Sequence, residues 1–586
     1  MMSPGAEPWI ILIALLPWSV RLIAGRFPFR RTRFDWLLLI FLITAWLAYW
    51  SAYDKESAWN KIWLIVLAVL LYYALVSQPT QNLVWIFLVL YGVGVGTSIY
   101  FFLTHDFTNA TIRIASWWMN TRPQFGWPAI HQGYISGIVV ITTLYSLYGI
   151  SEIRRIPSHK PPLSSKLSLN LGLGIMLGAF IFSASRGIWL AIAGVIVTWM
   201  LWKLLIISRP GLASVKWLSP VVILTCLVAL VILAYIGPAI LNAGLIHDTY
   251  GDNTRLELFL RSAYFLEDYP FIGGGLGSFP GLYSQYLLVI PHQYFINSYN
   301  LFLDVAIEQG VIGGLAFLFV YVGSVWHASQ AFLKTQSTEK FFLDWVSLFV
   351  LMIVVVHGVF YDYLYNGIGT FLLFLPAGIS MNRILHTAEE DGGQVLDPSS
   401  RSKARMTWNR SLPLAAFGLL IILVLFAGRL RSMWHANLGA VQMSKVELMG
   451  FPTGQWMDSA IIPGLDAAET SLHSSLRFDP DRRTANHRLG LISMLRADFD
   501  AAVGYLETAN KYAPGHRGII KSLGYCYVWL GDFDNAQRLL AEIPEAGEEL
   551  GIYVWWWGER GRHDLSEKAL QMVPRLVSGS STADGK

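Results

Sequence analysis

The chain has 586 residues, of which 54% are hydrophobic and only 14% charged, with 24 Trp and a mean hydropathy of +0.46. Soluble domains carry about 25% charged residues; the shortfall here lies in long apolar runs that only lipid satisfies, which excludes a soluble enzyme and points to a polytopic membrane protein. The formal charge of +4 is too small for a nucleic-acid binder, and Cys226 and Cys526 offer neither metal-ligand spacing nor an evident disulfide.

Runs long enough to cross about 30 Å of hydrocarbon lie near 8–24, 35–53, 62–77, 83–104, 132–150, 168–183, 188–207, 218–241, 298–330, 343–361, 367–383 and 412–428. This predicts an all-α membrane bundle of about twelve helices, with 298–330 long enough to be broken. Residues 1–7 lack a basic region and a cleavage site, so the first run reads as a retained helix. Basic residues divide between alternating loops, 18 on the side holding Arg30, Arg154, Lys216, Lys334 and Arg405 and 7 on the side holding Lys55, Lys61, Arg113 and Arg186. The positive-inside rule makes the first set cytoplasmic, which leaves both termini and the long loops 105–131 and 242–297 external.

The membrane domain is expected over 1–428, and 429–586 reads as an external helical domain. Pro480 recurs at Pro514, Leu489-Gly490 at Leu523-Gly524 and Asp498-Phe499-Asp500 at Asp532-Phe533-Asp534, as do Ala468, Ala502 and Ala536. A period of 34 is that of tetratricopeptide helix pairs, which bury their faces only against neighbours. Two clear repeats with degenerate flanking ones are expected, forming a surface for glycan, peptide or another subunit, or else a cap over the external face.

Within the membrane domain, Ser183-Ala184-Ser185-Arg186-Gly187 puts an arginine between two apolar runs. A charge at a helix centre costs about 2.5–3.5 kcal/mol on insertion scales. A phosphate gripped bidentately by the guanidinium, with Ser183 and Ser185 beside it, offsets that cost; snorkelling to headgroups is the competing reading. Further on, Thr254 precedes a helical stretch carrying Arg255 and Arg261, which stand about 240° apart around a straight helix and cannot both face one ligand. Gly273-Gly274-Gly275-Leu276-Gly277 offers amides for an oxyanion or merely a turn. His292 is a candidate general base. Asn297, Asn300, Asp304 and Glu308 recur at three or four residues and read as a polar stripe on a helix.

These words together resemble the O-antigen ligase and O-antigen polymerase-like superfamily of membrane glycosyltransferases: Ser-Ala-Ser-Arg-Gly-Ile-Trp-Leu at 183–190, Arg-Leu-Glu-Leu-Phe at 255–259, Asp-Tyr-Pro-Phe-Ile-Gly-Gly-Gly-Leu-Gly-Ser-Phe at 268–279, Asn-Leu-Phe-Leu at 300–303 and Glu-Gln-Gly-Val-Ile-Gly-Gly at 308–314. The resemblance implies transfer of a glycan from a polyprenyl (undecaprenyl) pyrophosphate donor to an acceptor hydroxyl at the outer face of a bacterial cytoplasmic membrane. It places donor-gripping arginines at Arg186 and Arg255. The family histidine before the Asn-Leu-Phe-Leu word is Tyr299 here, a poor base with an ordinary pKa of about 10, so either His292, or Glu308 or another carboxylate, takes the role instead, or the activity differs. Substrate-binding roles are expected of Arg186, Arg255, Ser183, Ser185, Asn300 and Arg261, catalytic ones of His292, Tyr299 and Glu308. No metal and no cofactor are expected; the partners are the lipid-linked glycan, a lipid, glycan or protein acceptor, membrane lipid, and a protein or glycan ligand of the tail. A lipid-linked glycan transporter and a membrane-anchored assembly scaffold are the alternatives.

Overall fold

The computed structural model describes residues 18–19, 22–23, 25, 29–107, 127, 129, 131–155, 163–208, 255–290, 294–334, 338–390, 426–452 and 459–580. Every regular element among them is helical. The membrane part comprises α1 (Asp35–Ser51), α2 (Lys55–Val76), α3 (Leu83–Thr104), α4 (Gln132–Arg155), α5 (Leu163–Phe182), α6 (Arg186–Ser208), α7 (Arg255–Asp268), the short α8 (Phe279–Tyr283) with a π-turn at Ser284–Leu288, α9 (Leu301–Lys334), α10 (Thr338–Gly358) and α11 (Leu375–Glu390). Five described helices are long and apolar enough to cross a membrane, α2, α3, α4, α9 and α10, and the pair α5 and α6 is a sixth candidate bent by 107° at Ser183–Ser185. The protein is therefore multi-pass, but the described residues do not supply twelve spans. The run at 367–383 is divided into a turn at Gly367–Leu372 and α11, the break falling where Pro376 has no N–H to donate back to the Leu372 carbonyl. The run at 35–53 is a 17-residue helix. Those at 218–241, 412–425 and most of 8–24 lie outside the described residues, as do His292 and most of the loop 105–131.

The two ends of the bundle differ. At one, Arg30 meets His386 at 3.3 Å and Arg33 meets His327 at 3.4 Å. At the other, the turn between α1 and α2 carries an aromatic girdle: Trp59 lies 5.1 Å from Trp63 and Trp46 6.1 Å from it, with Trp46, Trp50 and Trp59 exposed. Such belts mark the headgroup level. The α7–α8 segment stands at this aromatic end, tied to it by Gly275, whose absent Cβ leaves room for Ala52.

Beyond α11 the described residues form four antiparallel pairs: α12 (Ala427–Glu447) with α13 (Asp466–Phe478), α14 (Arg483–Leu495) with α15 (Phe499–Tyr512), α16 (Arg517–Leu530) with α17 (Phe533–Leu540), and α18 (Ala546–Glu559) with α19 (His563–Ser580). The repeat has one physical rule. A Cβ on Gly439, Gly490 or Gly524 would stand 2.6–2.7 Å from Leu472, Leu506 or Leu540 of the paired helix, so glycine is what lets each pair close. Asp498 and Asp532 cap α15 and α17, accepting from Ala501 N–H and Asn535 N–H at 3.2 Å.

The first helices of successive pairs grip the chain's own segment 268–288. Asn437 of α12 accepts from the amides of Phe271 and Ile272 at 3.2 and 3.0 Å. Arg483 and Arg488 of α14 reach the two Asp268 oxygens at 2.6 and 3.2 Å, and the Thr484 hydroxyl donates to Asp268 at 2.7 Å. On α16, Gly518 admits the Tyr286 carbonyl and Lys521 donates to the carbonyl of Leu288. Burial pushes the Asp268 carboxyl up, but the two guanidiniums and the hydroxyl more than offset it and hold it below the usual range. The repeat domain is thus docked in cis onto the membrane part.

Glu447 at the end of α12 behaves oppositely: burial raises it to about 7, only partly opposed by Arg488 and Tyr286. A carboxyl raised in the folded state favours folding below its unfolded pKa of about 4.3 and loses that contribution as pH rises through the folded value. Glu447→Gln, a mimic of the neutral acid, is expected to gain stability over the wild type between pH 4.5 and 7.5, on the order of 3 kcal/mol at the upper end. Thermal unfolding of both proteins across that range checks this; a pH-independent difference contradicts it.

Candidate functional site

Gly310 takes φ 79° and ψ 169° and breaks α9. The carbonyls this break frees are recovered by the glycine word: Gly274 N–H donates to Ile307 O at 2.8 Å and Gly275 N–H to Glu308 O at 3.1 Å, while Val311 N–H donates to Pro270 O at 2.9 Å. Leu276 N–H donates to Ala48 O at 3.1 Å. Gly273, Gly275 and Gly277 all have positive φ, and side chains at 273 or 310 would collide with backbone of the other strand of the junction. The glycine run is therefore a packing junction. The amides of Gly274, Gly275 and Leu276 are engaged by carbonyls, which corrects the reading of the run as an anion nest.

The polar stripe also resolves differently. Asn297 and Asn300 precede α9 instead of lying on it: the Asn300 side chain is the helix cap, accepting from Phe302 and Leu303 N–H at 3.1 and 3.0 Å. Asn297 accepts from Tyr299 N–H at 3.0 Å, in a turn that puts Tyr299 at φ 57°. A left-handed aromatic residue persists only where its surroundings over-determine it. Ala184 in the Ser-Ala-Ser-Arg-Gly bend has φ 46°, so this word and the position just before the Asn-Leu-Phe-Leu word each carry a left-handed non-glycine residue.

Tyr361 joins these words. Side chains at Gly187, next to Arg186, and at Gly133 on α4 would run into its ring. Tyr299 lies 6.4 Å from it edge-on, and His131 lies 5.7 Å from Tyr361 and 6.2 Å from Tyr299. From here a buried polar line crosses the bundle. Asn297 donates to the Tyr134 hydroxyl at 2.6 Å, Tyr134 donates to Asp362 at 2.9 Å, and Asn366 donates to the other Asp362 oxygen. Lys61 donates to Asn366 at 2.6 Å and pairs with Glu308 at 2.6 Å, its ammonium 3.8 Å over the Tyr365 ring. Gln309 continues the line to the Tyr365 hydroxyl at 2.9 Å and receives a bond from Thr44 at 3.0 Å. Asp304 accepts from Ser298 N–H at 2.9 Å with one oxygen, while its other oxygen is buried without a hydrogen bond.

The structure thus brings Ser183, Ser185, Arg186 and Tyr299 to one junction, with Glu308 at the far end of the polar line. Ser183 is buried and donates to Phe180 O at 2.7 Å, Ser185 is buried, and Arg186 is exposed at the first turn of α6. Arg255 opens α7, its side chain outside the described set. Arg261 is buried and paired with Glu257 one turn before it. His131, Tyr134, Lys61, Tyr361, Asp362 and Asn366 were missed in the sequence. The available signals were a lysine directly before the apolar run 62–77, read as a loop charge, and the polar word Tyr361–Asn366 between apolar runs. Among the described residues no three His, Cys, Asp or Glu side chains form a metal-holding group.

Residues 171–318 match the family model described as O-Antigen ligase, and residues 494–550 match one described as Tetratricopeptide repeat. No curated protein and no solved structure matches the chain. The ligase match spans the Ser-Ala-Ser-Arg-Gly bend, α7, the glycine junction and the Tyr299 turn. It supports ligase- or polymerase-type chemistry in general, in a multi-pass membrane protein with a tetratricopeptide tail.

Removing one partner of a buried ion pair strands the other and costs about 3–5 kcal/mol, whereas removing both is far milder. Lys61→Met and Glu308→Gln are each expected to lower the unfolding temperature strongly, and the double variant to recover most of the loss. A thermal-unfolding double-mutant cycle in detergent measures the coupling; additive losses contradict it.

Proposed function

We propose that this chain transfers a glycan from a polyprenyl pyrophosphate donor to an acceptor hydroxyl at the outer face of the cytoplasmic membrane, as an O-antigen ligase or polymerase. The observation that carries this reading is the packing of the Ser183–Gly187 bend and the Tyr299 turn around Tyr361, at one end of the bundle and within the stretch matched by the ligase model.

In the proposed step the acceptor oxygen forms a bond to the anomeric carbon while the bond from that carbon to the pyrophosphate oxygen breaks, its electron pair leaving with the polyprenyl pyrophosphate. Arg186 and Arg255 hold the pyrophosphate, whose growing negative charge a guanidinium meets with two parallel donors. His292 takes the acceptor proton. Tyr299 orients the acceptor, held in its strained turn by Asn297 and, through Asn297, by Tyr134 and Asp362. Glu308 fixes Lys61 and with it the far end of that line. No metal ion takes part in this proposed step.

Arg186→Lys and Arg255→Lys keep the charge but lose the fork. Each is expected to reduce transfer from a lipid-linked glycan at least about 100-fold, a loss of roughly 2.7 kcal/mol in transition-state stabilisation, in protein that still folds. Near-normal transfer by both removes the arginines from the mechanism. His292→Ala is expected to lower turnover more than donor affinity, with Tyr299→Phe the milder change; full activity in His292→Ala discards that base.

Orientation rests on the charge bias of the loops. Cys526 is fully buried and is no use as a label site, whereas the side chain of Asp534 is 98% exposed. With both native cysteines replaced, Asp534→Cys is expected to react with an impermeant maleimide in spheroplasts. Reaction only after lysis would place the repeat domain inside.

A further inference from the structure

Beside the cis-docked segment lies a cavity of about 160 Å³, enclosed by the π-turn after α8 and by residues of α12, α14, α16 and α18. An engineered cavity of about 150 Å³ holds a benzene ring, so this space suits one six-membered ring whose substituents project through the open side. Its apolar walls combine the rings of Trp529, Tyr553, Trp556 and Trp557 with aliphatic side chains from Val289, Ile462 and α14. Trp529 stands at 79° to Tyr553 and 85° to Trp557, with centroids 5.2 and 5.6 Å apart, an edge-to-face lattice that fixes the pocket's shape. Polar groups enter from three directions: Gln285 from the membrane part, Glu447 from α12, and Arg560 from the end of α18, its guanidinium 3.5 Å over the Trp556 ring. Val289, a β-branched residue at φ 64°, forms part of the wall. That conformation is a genuine outlier held by its packing.

We propose that this pocket binds one pyranose ring of the glycan being transferred, at a subsite outside the reaction centre; the inference rests on the glycan-transfer reading above. A pyranose presents C–H faces to indole and hydroxyls at its edge to Gln285, Glu447 and Arg560, which matches apolar walls with polar groups between them. An extended peptide, the other class of ligand expected for tetratricopeptide repeats, needs a channel along the first helices of the pairs, and residues 268–288 already run there. The pocket has a wall from each domain, so docking in cis is what completes it.

The test uses the full chain in lipid nanodiscs and the oligosaccharide released by mild acid from the lipid-linked glycan that accumulates in cells lacking this protein. Saturable quenching of tryptophan fluorescence by that oligosaccharide is expected. Trp556→Ala and Arg560→Ala are each expected to weaken it at least about 10-fold, the effect of 1.4 kcal/mol. Trp556→Phe, which keeps a ring face, should restore most of the binding, and Trp555→Ala, at a 63% exposed residue that does not line the pocket, should leave it unchanged. Undiminished binding in Trp556→Ala, or saturable binding of an aromatic decapeptide in place of the oligosaccharide, overturns the proposal. The two readings fail separately. Transfer that Arg186→Lys abolishes, alongside no oligosaccharide binding, discards the pocket alone, and binding lost in Trp556→Ala, alongside no transfer from any lipid-linked glycan, discards the reaction alone.

Discussion

At Gly310 a helix inside the bundle stops and restarts, and its freed carbonyls must find donors where no water is at hand. They find them in the amides of Gly274 and Gly275. Two words thirty residues apart are therefore one object, a backbone-to-backbone weld that side chains would prise open. The rest hangs from it. The weld fixes the start of α9, so that Asn300 caps it, Tyr299 is forced left-handed, and Glu308 faces Lys61 across the bundle.

The same weld holds the segment that the repeat domain recognises. Asp268 lies just before the glycines, and its two buried arginines come from α14. A carboxylate so enclosed is expensive to desolvate, and the pairing is worth having only because both oxygens are satisfied by charged donors together with the Thr484 hydroxyl. Docking by buried charge, with Asn437 accepting from two amides and Lys521 donating to one carbonyl from the neighbouring pairs, is specific in register. Any displacement of the repeats by one helix would leave Arg483 and Arg488 without their anion. The repeat domain is thus coupled to the backbone that shapes the Tyr299 turn.

Legibility in the sequence followed the range of the interaction. Helical class and membrane character could be read because apolar runs are local. The repeat was readable because Gly490 and Gly524, with Leu506 and Leu540, recur at a fixed interval. Arg186 stood out because a charge between two apolar runs is locally anomalous. The line from Asn297 through Tyr134, Asp362 and Asn366 to Lys61 could not be assembled, since its members come from four separate stretches of chain and neither the lysine beside an apolar run nor the polar word 361–366 says which distant group it meets. The stripe at Asn297, Asn300, Asp304 and Glu308 misled for a related reason: spacing alone does not show where a helix begins, and the cap at Asn300 divides the pattern.

By itself the sequence determined that this is an all-helical, multi-pass membrane protein with a tetratricopeptide tail, and it placed an arginine and a glycine word among the functional candidates. Those features are set by hydropathy, period and local charge, which are additive along the chain. Tertiary structure alone decided that the glycines join helices instead of cradling an anion, that Lys61 is a buried partner and not a loop charge, and that the tail's inner face is filled by its own chain. Each of these depends on which distant backbone atoms compete for a donor or a charge, and only the folded chain brings those competitors together.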